Sequence, residues 1–270
     1  MKRLALLDGD EIAFKACAVT ANSIDWGDGD GKSLPSPGLA VKAARELADS
    51  WSTKVSADRV IVCLSCRDRA LFRRNLYTGY KQERTEKPPA FWAAVDMFET
   101  DYETREYPML EADDVMGVLS TPAAWNNAYQ PIIVSSDKDM RTLPSWIFDP
   151  YHGTKRKIVQ VAADRWWMTQ TITGDAVDGY KGLPGAGPKF AEKLLSELNS
   201  VTQMWRSVCD AYRAGTSKCP DGLSETDALT MARLARILRP EDYDIDTGVI
   251  QLWHPTRPVP LNTRKINEPN

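Results

Sequence analysis

The chain has 270 residues, 43% of them hydrophobic and 26% charged. That composition excludes a collagenous, low-complexity or disordered chain and leaves room for one large domain or two modest ones. No apolar run approaches the roughly 18 residues that span a bilayer, so an unexported, non-membrane protein is expected. Five cysteines without framework spacing point to a reducing compartment. The net charge of -3 disfavours a uniformly basic nucleic-acid coat, but says nothing of local charge.

In chain order, Leu4 to Leu7 is a short apolar run ending in Asp8-Gly9-Asp10, and Ile12, Phe14, Ala16 and Cys17 then predict a helix. Asn22 to Gly38 reads as a Gly- and Pro-rich loop, and Leu39 to Val55 as an amphipathic helix. Arg59 to Leu64 and Gln130 to Ser135 are two further buried-strand candidates, with helices expected over Pro89 to Glu99 and Glu111 to Leu119. Apolar strands alternating with helices predict a parallel α/β sheet. Beyond about residue 160 helical signals take over, at Ala162 to Thr171, Pro188 to Leu198, Val201 to Arg213 and Ser224 to Leu238. The change suggests a second, helical domain. A Pro-rich tail follows from Arg239, with a possible strand at Val249 to Trp253.

Acidic clusters fall at junctions between elements: Asp8 with Asp10, Glu111 with Asp113 and Asp114, Asp137 with Asp139, and Asp175 with Asp178. The carboxyl ends of parallel strands line the ligand crevice of such a sheet, and Asp8 and Asp137 both follow strand candidates. On a helix starting at Glu111, Glu111 and Asp114 share one face and Asp113 lies about 100° away. The same spacing would pair Asp175 with Asp178. Two like charges 4 Å apart repel by about 4 kcal/mol at an effective dielectric near 20, so the clusters need a cation. Oxygen-only ligation suits Mg²⁺ or Mn²⁺, and His152 and His254 are too far in sequence from the acidic clusters to suggest zinc. Two such ions about 3.5–4 Å apart suit phosphoryl chemistry and need no catalytic histidine. For any single cluster, a solvated surface or a helix N-terminus is the plain alternative.

The segment from Arg67 to Lys87 carries seven cations, Arg67, Arg69, Arg73, Arg74, Lys81, Arg84 and Lys87, against Asp68, Glu83 and Glu86. Phe72, Tyr77 and Tyr80 interleave with them, a mixture that suits phosphates and unpaired bases, or else a solvated amphipathic helix. Gly182-Leu183-Pro184-Gly185-Ala186-Gly187-Pro188-Lys189 places Pro188 in the first turn of a helix, where free amides and Lys189 can meet a phosphate. It is neither a Walker A loop nor a dinucleotide fingerprint, and a simple helical connection is its alternative.

Taken in order, these motifs resemble the flap endonuclease and 5′-3′ exonuclease family, particularly its bacterial and bacteriophage members. The carriers are Leu6-Leu7-Asp8-Gly9-Asp10, Phe72-Arg73-Arg74 through Tyr80-Lys81-Gln82-Glu83-Arg84, Glu111-Ala112-Asp113-Asp114, Ser136-Asp137-Lys138-Asp139, and Gly174-Asp175 to Lys189. The resemblance spans roughly residues 4 to 198 and implies an α/β fold. Its parts are a PIN-like nuclease domain over 1–160 with a mostly parallel sheet, an arch over about 67–100, and a helix-three-turn-helix domain over 161–240. The tail, 241–270, has no assigned role.

It also implies that Asp8, Glu111, Asp113, Asp114, Asp137, Asp139, Asp175 and Asp178 hold two Mg²⁺ or Mn²⁺ ions directly or through water. Asp10 would be an auxiliary ligand or a solvent-linked acid, and Asp68 would serve only if its loop is two residues shorter, because the position six before Phe72 is Cys66. Lys81 and Arg84 would act at the scissile phosphate, with Tyr80 stacking on a base. Arg73, Arg74, Gly185, Gly187 and Lys189 would join Tyr80, Lys81 and Arg84 in binding DNA. Potassium is expected at the carbonyls of Leu183, Gly185 and Gly187. The implied activity is hydrolysis at 5′ ends, nicks or flaps of duplex DNA, leaving 5′-phosphate and 3′-hydroxyl, by a monomer in a bacterial or phage-infected cytoplasm beside replication proteins. Two alternatives are a non-catalytic binder of branched DNA and a haloacid-dehalogenase-like phosphatase with Asp8 as nucleophile, which leaves the arch motif and glycine loop unexplained. Cys63 and Cys66, a lone C-x-x-C, read as structural.

Overall fold

A computed structural model describes residues 1–21, 36–68 and 70–256; residues 22–35 of the loop expected over Asn22 to Gly38, Arg69 and the end of the tail lie outside the described residues, and Pro37 and Gly38 already belong to a helix. The first strand, β1 (Lys2–Asp8), runs into helix α1 (Gly9–Ala21), and α2 (Pro37–Lys54) leads to β2 (Arg59–Leu64). Next come α3 (Phe72–Leu76), α4 (Pro89–Asp101), β3 (Thr104–Glu106), α5 (Ala112–Leu119), β4 (Tyr129–Val134), β5 (Trp146–Asp149) and β6 (Thr154–Lys157). The sheet order is β3-β2-β1-β4-β5-β6, parallel except for β6, which pairs antiparallel with β5.

Both faces of the sheet are covered, and strand alternation assigns each side chain to a face. Ala5, Leu7, Val62, Leu64, Ile132 and Val134 pack under α1, α2 and α4. Leu4, Leu6, Ile61, Cys63 and Ile133 pack under α5 on the other face. The chain leaves β1 toward β2 and β3 but leaves β4 toward β5, so the strand order reverses between β1 and β4. A ligand crevice opens at the carboxyl ends of strands flanking such a reversal, where Asp8 and Asp137 stand. Gly9 makes the tight exit from β1 possible, since a Cβ there would lie 2.6 Å from side-chain atoms of Val62 and Leu64.

The helical part comprises α6 (Gln160–Thr173), α7 (Pro188–Leu195), α8 (Val201–Ala214) and α9 (Glu225–Ala235), around its own core of Trp167, Met168, Met204, Trp205 and Tyr212. A two-stranded ribbon of β7 (Tyr243–Asp244) and β8 (Val249–Ile250) follows. No described helix is long and apolar enough to cross a membrane.

Two expectations about organisation change. The helix Pro89–Asp101 packs Ala90, Phe91, Ala94, Val95 and Phe98 into the sheet core beside α1 and α2, so an arch reaching to residue 100 is not what this segment forms. The chain also returns to the first core before residue 240. Ile237 and Leu238 pack with α5, and a Cβ on Gly117 would lie 2.1 Å from the Leu238 carbonyl oxygen.

A buried arginine joins these parts. Arg73 on α3 is 3% exposed and forks onto both oxygens of Asp114, at 2.6 and 2.8 Å. It also donates to Glu111 and to the carbonyls of Leu234 and Arg236, while the Leu238 amide donates to Asp114. The arginine thus ties α3, α5 and the chain leaving α9. Removing one partner of a buried pair strands the other charge without water. Arg73→Leu should therefore lose about 3–5 kcal/mol of stability, measured by urea unfolding; an unchanged midpoint would contradict this role.

Candidate active site

The clusters meet in one cleft of about 760 Å³ lined by Asp8, Asp10, Glu111, Asp113, Asp137, Asp139, Asp175 and Asp178, with Lys81, Arg84 and Arg74 on its wall. Each arrives on a different element. Asp8 ends β1, Asp137 caps the short helical turn after β4 by accepting the Asp139 amide at 2.7 Å, and Glu111 caps α5. Asp175 and Asp178 sit in the loop after α6 rather than on one helix face. Gly174 makes that exit with φ +68°, and a Cβ there would lie 2.4 Å from the backbone of Lys181.

The structure does not bring Asp114 or Asp68 into the cleft. Asp114 is fully buried, and its carboxylate closes a capping box with Glu111 besides holding Arg73. Asp113, the residue expected off that face, is the one that points into the cleft. Asp68 accepts the Ala70 amide in its own turn. Two expected DNA contacts are also buried: Arg73 is spent on carboxylates, and the Tyr80 ring is 2% exposed, with its hydroxyl donating to Glu111 at 2.8 Å. Tyr80 offers no face to a base and instead fixes Glu111. Gly185, Gly187 and Lys189 are exposed, and α7 begins at Gly187 without a side-chain cap.

Cations are threaded between the acids. Lys81 donates to Glu111 at 2.5 Å and lies 3.5 Å from Asp178, which also accepts from Arg84 at 3.0 Å. Lys138 bridges Asp139 and Asp175 at 2.9 and 2.8 Å. Lys87 pairs with Asp10 at 2.6 Å. Glu11, missed in the sequence because it looked like an ordinary first-turn helix residue, accepts from the Ser135 hydroxyl and from the amide and hydroxyl of Ser136. The hydroxyl of Ser135 also reaches Asp8 at 3.0 Å.

Even so, eleven carboxylates and six cationic side chains line the cleft, an excess of acid. Burial first, then Glu11, pushes the Asp8 carboxyl up to about 8. Burial and the charges of Asp8 and Asp137 hold Asp113 well above the usual carboxylate range. Burial would raise Glu111 as well, but Lys81 and Arg73 outweigh it and bring it down to about 2. For Asp175, burial is likewise outweighed by Lys138, and its pKa is lowered.

The donors are carboxylate oxygens, the chemistry that hard divalent ions take. Among the described residues, no three metal-binding side chains converge closely enough to cage one ion alone. Asp8, Asp113, Asp137, Asp139 and Asp175 line the cleft with the carboxylate oxygens such an ion would take.

Comparisons with known proteins place this geometry in a family. The model of the 5′-3′ exonuclease N-terminal resolvase-like domain matches residues 3–173. The chain is 29% identical to an exodeoxyribonuclease of Enterobacteria phage T3, covering 94% of this chain and 93% of that one. It is 29% identical to an exonuclease of Escherichia phage T7, with 94% of each chain covered. Its fold matches a bacteriophage T5 flap endonuclease, solved in a complex with DNA and metal ions, with TM-score 0.63, 16% identity, and 88% and 90% of the two chains covered. The chain therefore belongs to the 5′-3′ exonuclease family, as its motif order implied, and it is an α/β nuclease of that family.

A carboxyl with a higher pKa in the folded than in the unfolded chain binds its proton more tightly when folded, so its contribution to stability is lost as pH rises through that interval. For Asp8 the interval runs from the ordinary 3.8 to about 8. In EDTA, Asp8→Asn should therefore melt above the natural chain at pH 8, by a margin on the order of a few kcal/mol that closes near pH 4. Equal melting at both pH values would refute the crowding.

Proposed function

We propose that this chain hydrolyses DNA phosphodiesters at 5′ ends and 5′ flaps with two Mg²⁺ or Mn²⁺ ions, leaving 5′-phosphate and 3′-hydroxyl. The carrying observation is the single cleft at the strand-order reversal where four acidic clusters, far apart in sequence, meet Lys81 and Arg84. When bound, the ions supply Lewis-acid stabilisation of the attacking and leaving oxygens and lower the pKa of water.

The chain's own residues do the rest. Asp8, Asp113, Asp137, Asp139 and Asp175 hold the ions, with Glu111 and Asp178 anchoring Lys81 and Arg84 beside them. Lys81 and Arg84 then face the scissile phosphate and offset its developing charge. Arg74 and Lys87 carry the unpaired 5′ strand, and Asp10 sets the position of Lys87. The duplex rests on the loop after α6, where Gly185, Gly187, Lys189 and the open amides at the start of α7 meet its backbone. Potassium at the carbonyls of Leu183, Gly185 and Gly187 completes that contact. A monomer acting with replication proteins in a bacterial or phage-infected cytoplasm belongs to the same reading.

The test is digestion of 5′-labelled blunt, nicked and flapped duplexes with Mg²⁺ and with EDTA. Product lengths give the balance of exonuclease and flap cleavage; absence of product with Mg²⁺ would leave only a DNA-binding role. Asp137→Ala should abolish turnover while duplex binding persists. Lys81→Ala should slow single-turnover cleavage about 10²–10³-fold with a smaller effect on affinity; an unchanged rate would remove Lys81 from the chemistry. Binding should weaken steeply with salt as phosphate contacts release counterions.

A further inference from the structure

Asp139 lies in the turn after β4, on the sheet part of the chain, yet one of its oxygens is held from the helical part. Gln170, near the end of α6, is 5% exposed and donates from Nε2 to Asp139 Oδ1 at 2.6 Å. Lys138 meets the same oxygen at 2.9 Å. Only one orientation of the amide works, because its oxygen cannot face a carboxylate oxygen. The other end of the amide, Oε1, is buried without a hydrogen-bond partner. A glutamine kept in the interior with half of its polar group unsatisfied is poorly explained by packing, since a leucine would fill the space without that cost.

The surroundings make the contact stiff. The Asp139 amide is fixed by Asp137, and its carbonyl accepts from the Thr142 hydroxyl at 2.9 Å. The Thr142 carbonyl in turn accepts from Arg239, which is paired with Asp164 on α6. Two residues of one helix, Asp164 and Gln170, thus reach the turn carrying Asp137 and Asp139, the first through Arg239 and the second directly. Nothing in the sequence marks Gln170: it sits in the run Trp167-Met168-Thr169-Gln170-Thr171 and carries no charge.

We propose that Gln170 is a positioning residue for divalent-ion binding, setting the orientation of Asp139 from the helix that also leads into the duplex-binding loop. This inference rests on the metal-dependent reading above. Groups that orient a ligating carboxylate typically affect metal affinity 10–100-fold when removed. Lys138 still holds the same oxygen, so the effect here belongs at the lower end.

The test uses the full chain without DNA. Mn²⁺ is titrated calorimetrically into the natural chain, Gln170→Leu and Gln170→Met, the last keeping the side-chain length without a donor. Both variants should bind Mn²⁺ about tenfold more weakly, while duplex affinity in EDTA and its salt dependence stay as in the natural chain. If a variant is destabilised, the rise in melting temperature on adding Ca²⁺ is compared instead, and it should be smaller than in the natural chain. Natural Mn²⁺ affinity and natural Ca²⁺ shifts in both folded variants would overturn the role of Gln170 alone. Failure of the natural chain to bind either ion would instead overturn the metal reading on which it rests.

Discussion

Repulsion among carboxylates at one edge of a parallel sheet is the constraint that organises this molecule. Strand order alone brings Asp8 and Asp137 to that edge, and α5 and the loop after α6 deliver Glu111, Asp113 and Asp175 to the same place. The fold answers the repulsion in two ways. Lys81, Arg84, Lys87 and Lys138 are interleaved with the acids, and Asp8 and Asp113 are left poised to take up positive charge. Cation hunger is thus a property of the architecture rather than of any one residue, and Lys81, Arg84, Lys87 and Lys138 inherit their positions from the acids they neutralise.

A second consequence is that the site cannot be assigned to one part of the chain. Arg73 joins α3 to α5 and to the exit from α9, and the Lys81 backbone amide donates to the Asp178 carbonyl at 2.9 Å. Lys138 spans from the turn after β4 to the loop after α6. On the proposed reading, duplex docking and ion placement share one segment, because the loop after α6 that carries Asp175 and Asp178 runs on to Gly185.

Much of this was legible from the residues. The strand at Arg59–Leu64 has the expected ends, and that at Tyr129–Val134 is displaced by one residue, because continuous apolar runs between turn residues leave little choice. The short strands β3, β5 and β6 were not visible: β3 has three residues, and Thr154-Lys155-Arg156-Lys157 carries no apolar pattern, being held by pairing with β5 alone. The acidic clusters were found, but their division of labour was not. Helical spacing grouped Glu111 with Asp114, whereas the capping box turns Asp114 inward to Arg73 and leaves Asp113 to the cleft. Likewise Tyr80 and Arg73 look like nucleic-acid contacts in a basic, aromatic run. Their burial depends on α5 and α9, which lie far along the chain.

The last strand of the sheet has a bearing on the behaviour of the protein in bulk. An unpaired strand flank is an invitation for another polypeptide to add on, and chains with long exposed flanks tend to stack into insoluble aggregates. Here one flank is the three-residue β3, too short to template much, and the other is β6, whose Lys155, Arg156 and Lys157 would set like charges against any copy that approached. The same basic run that left no trace of a strand in the sequence opposes edge-to-edge pairing of two copies.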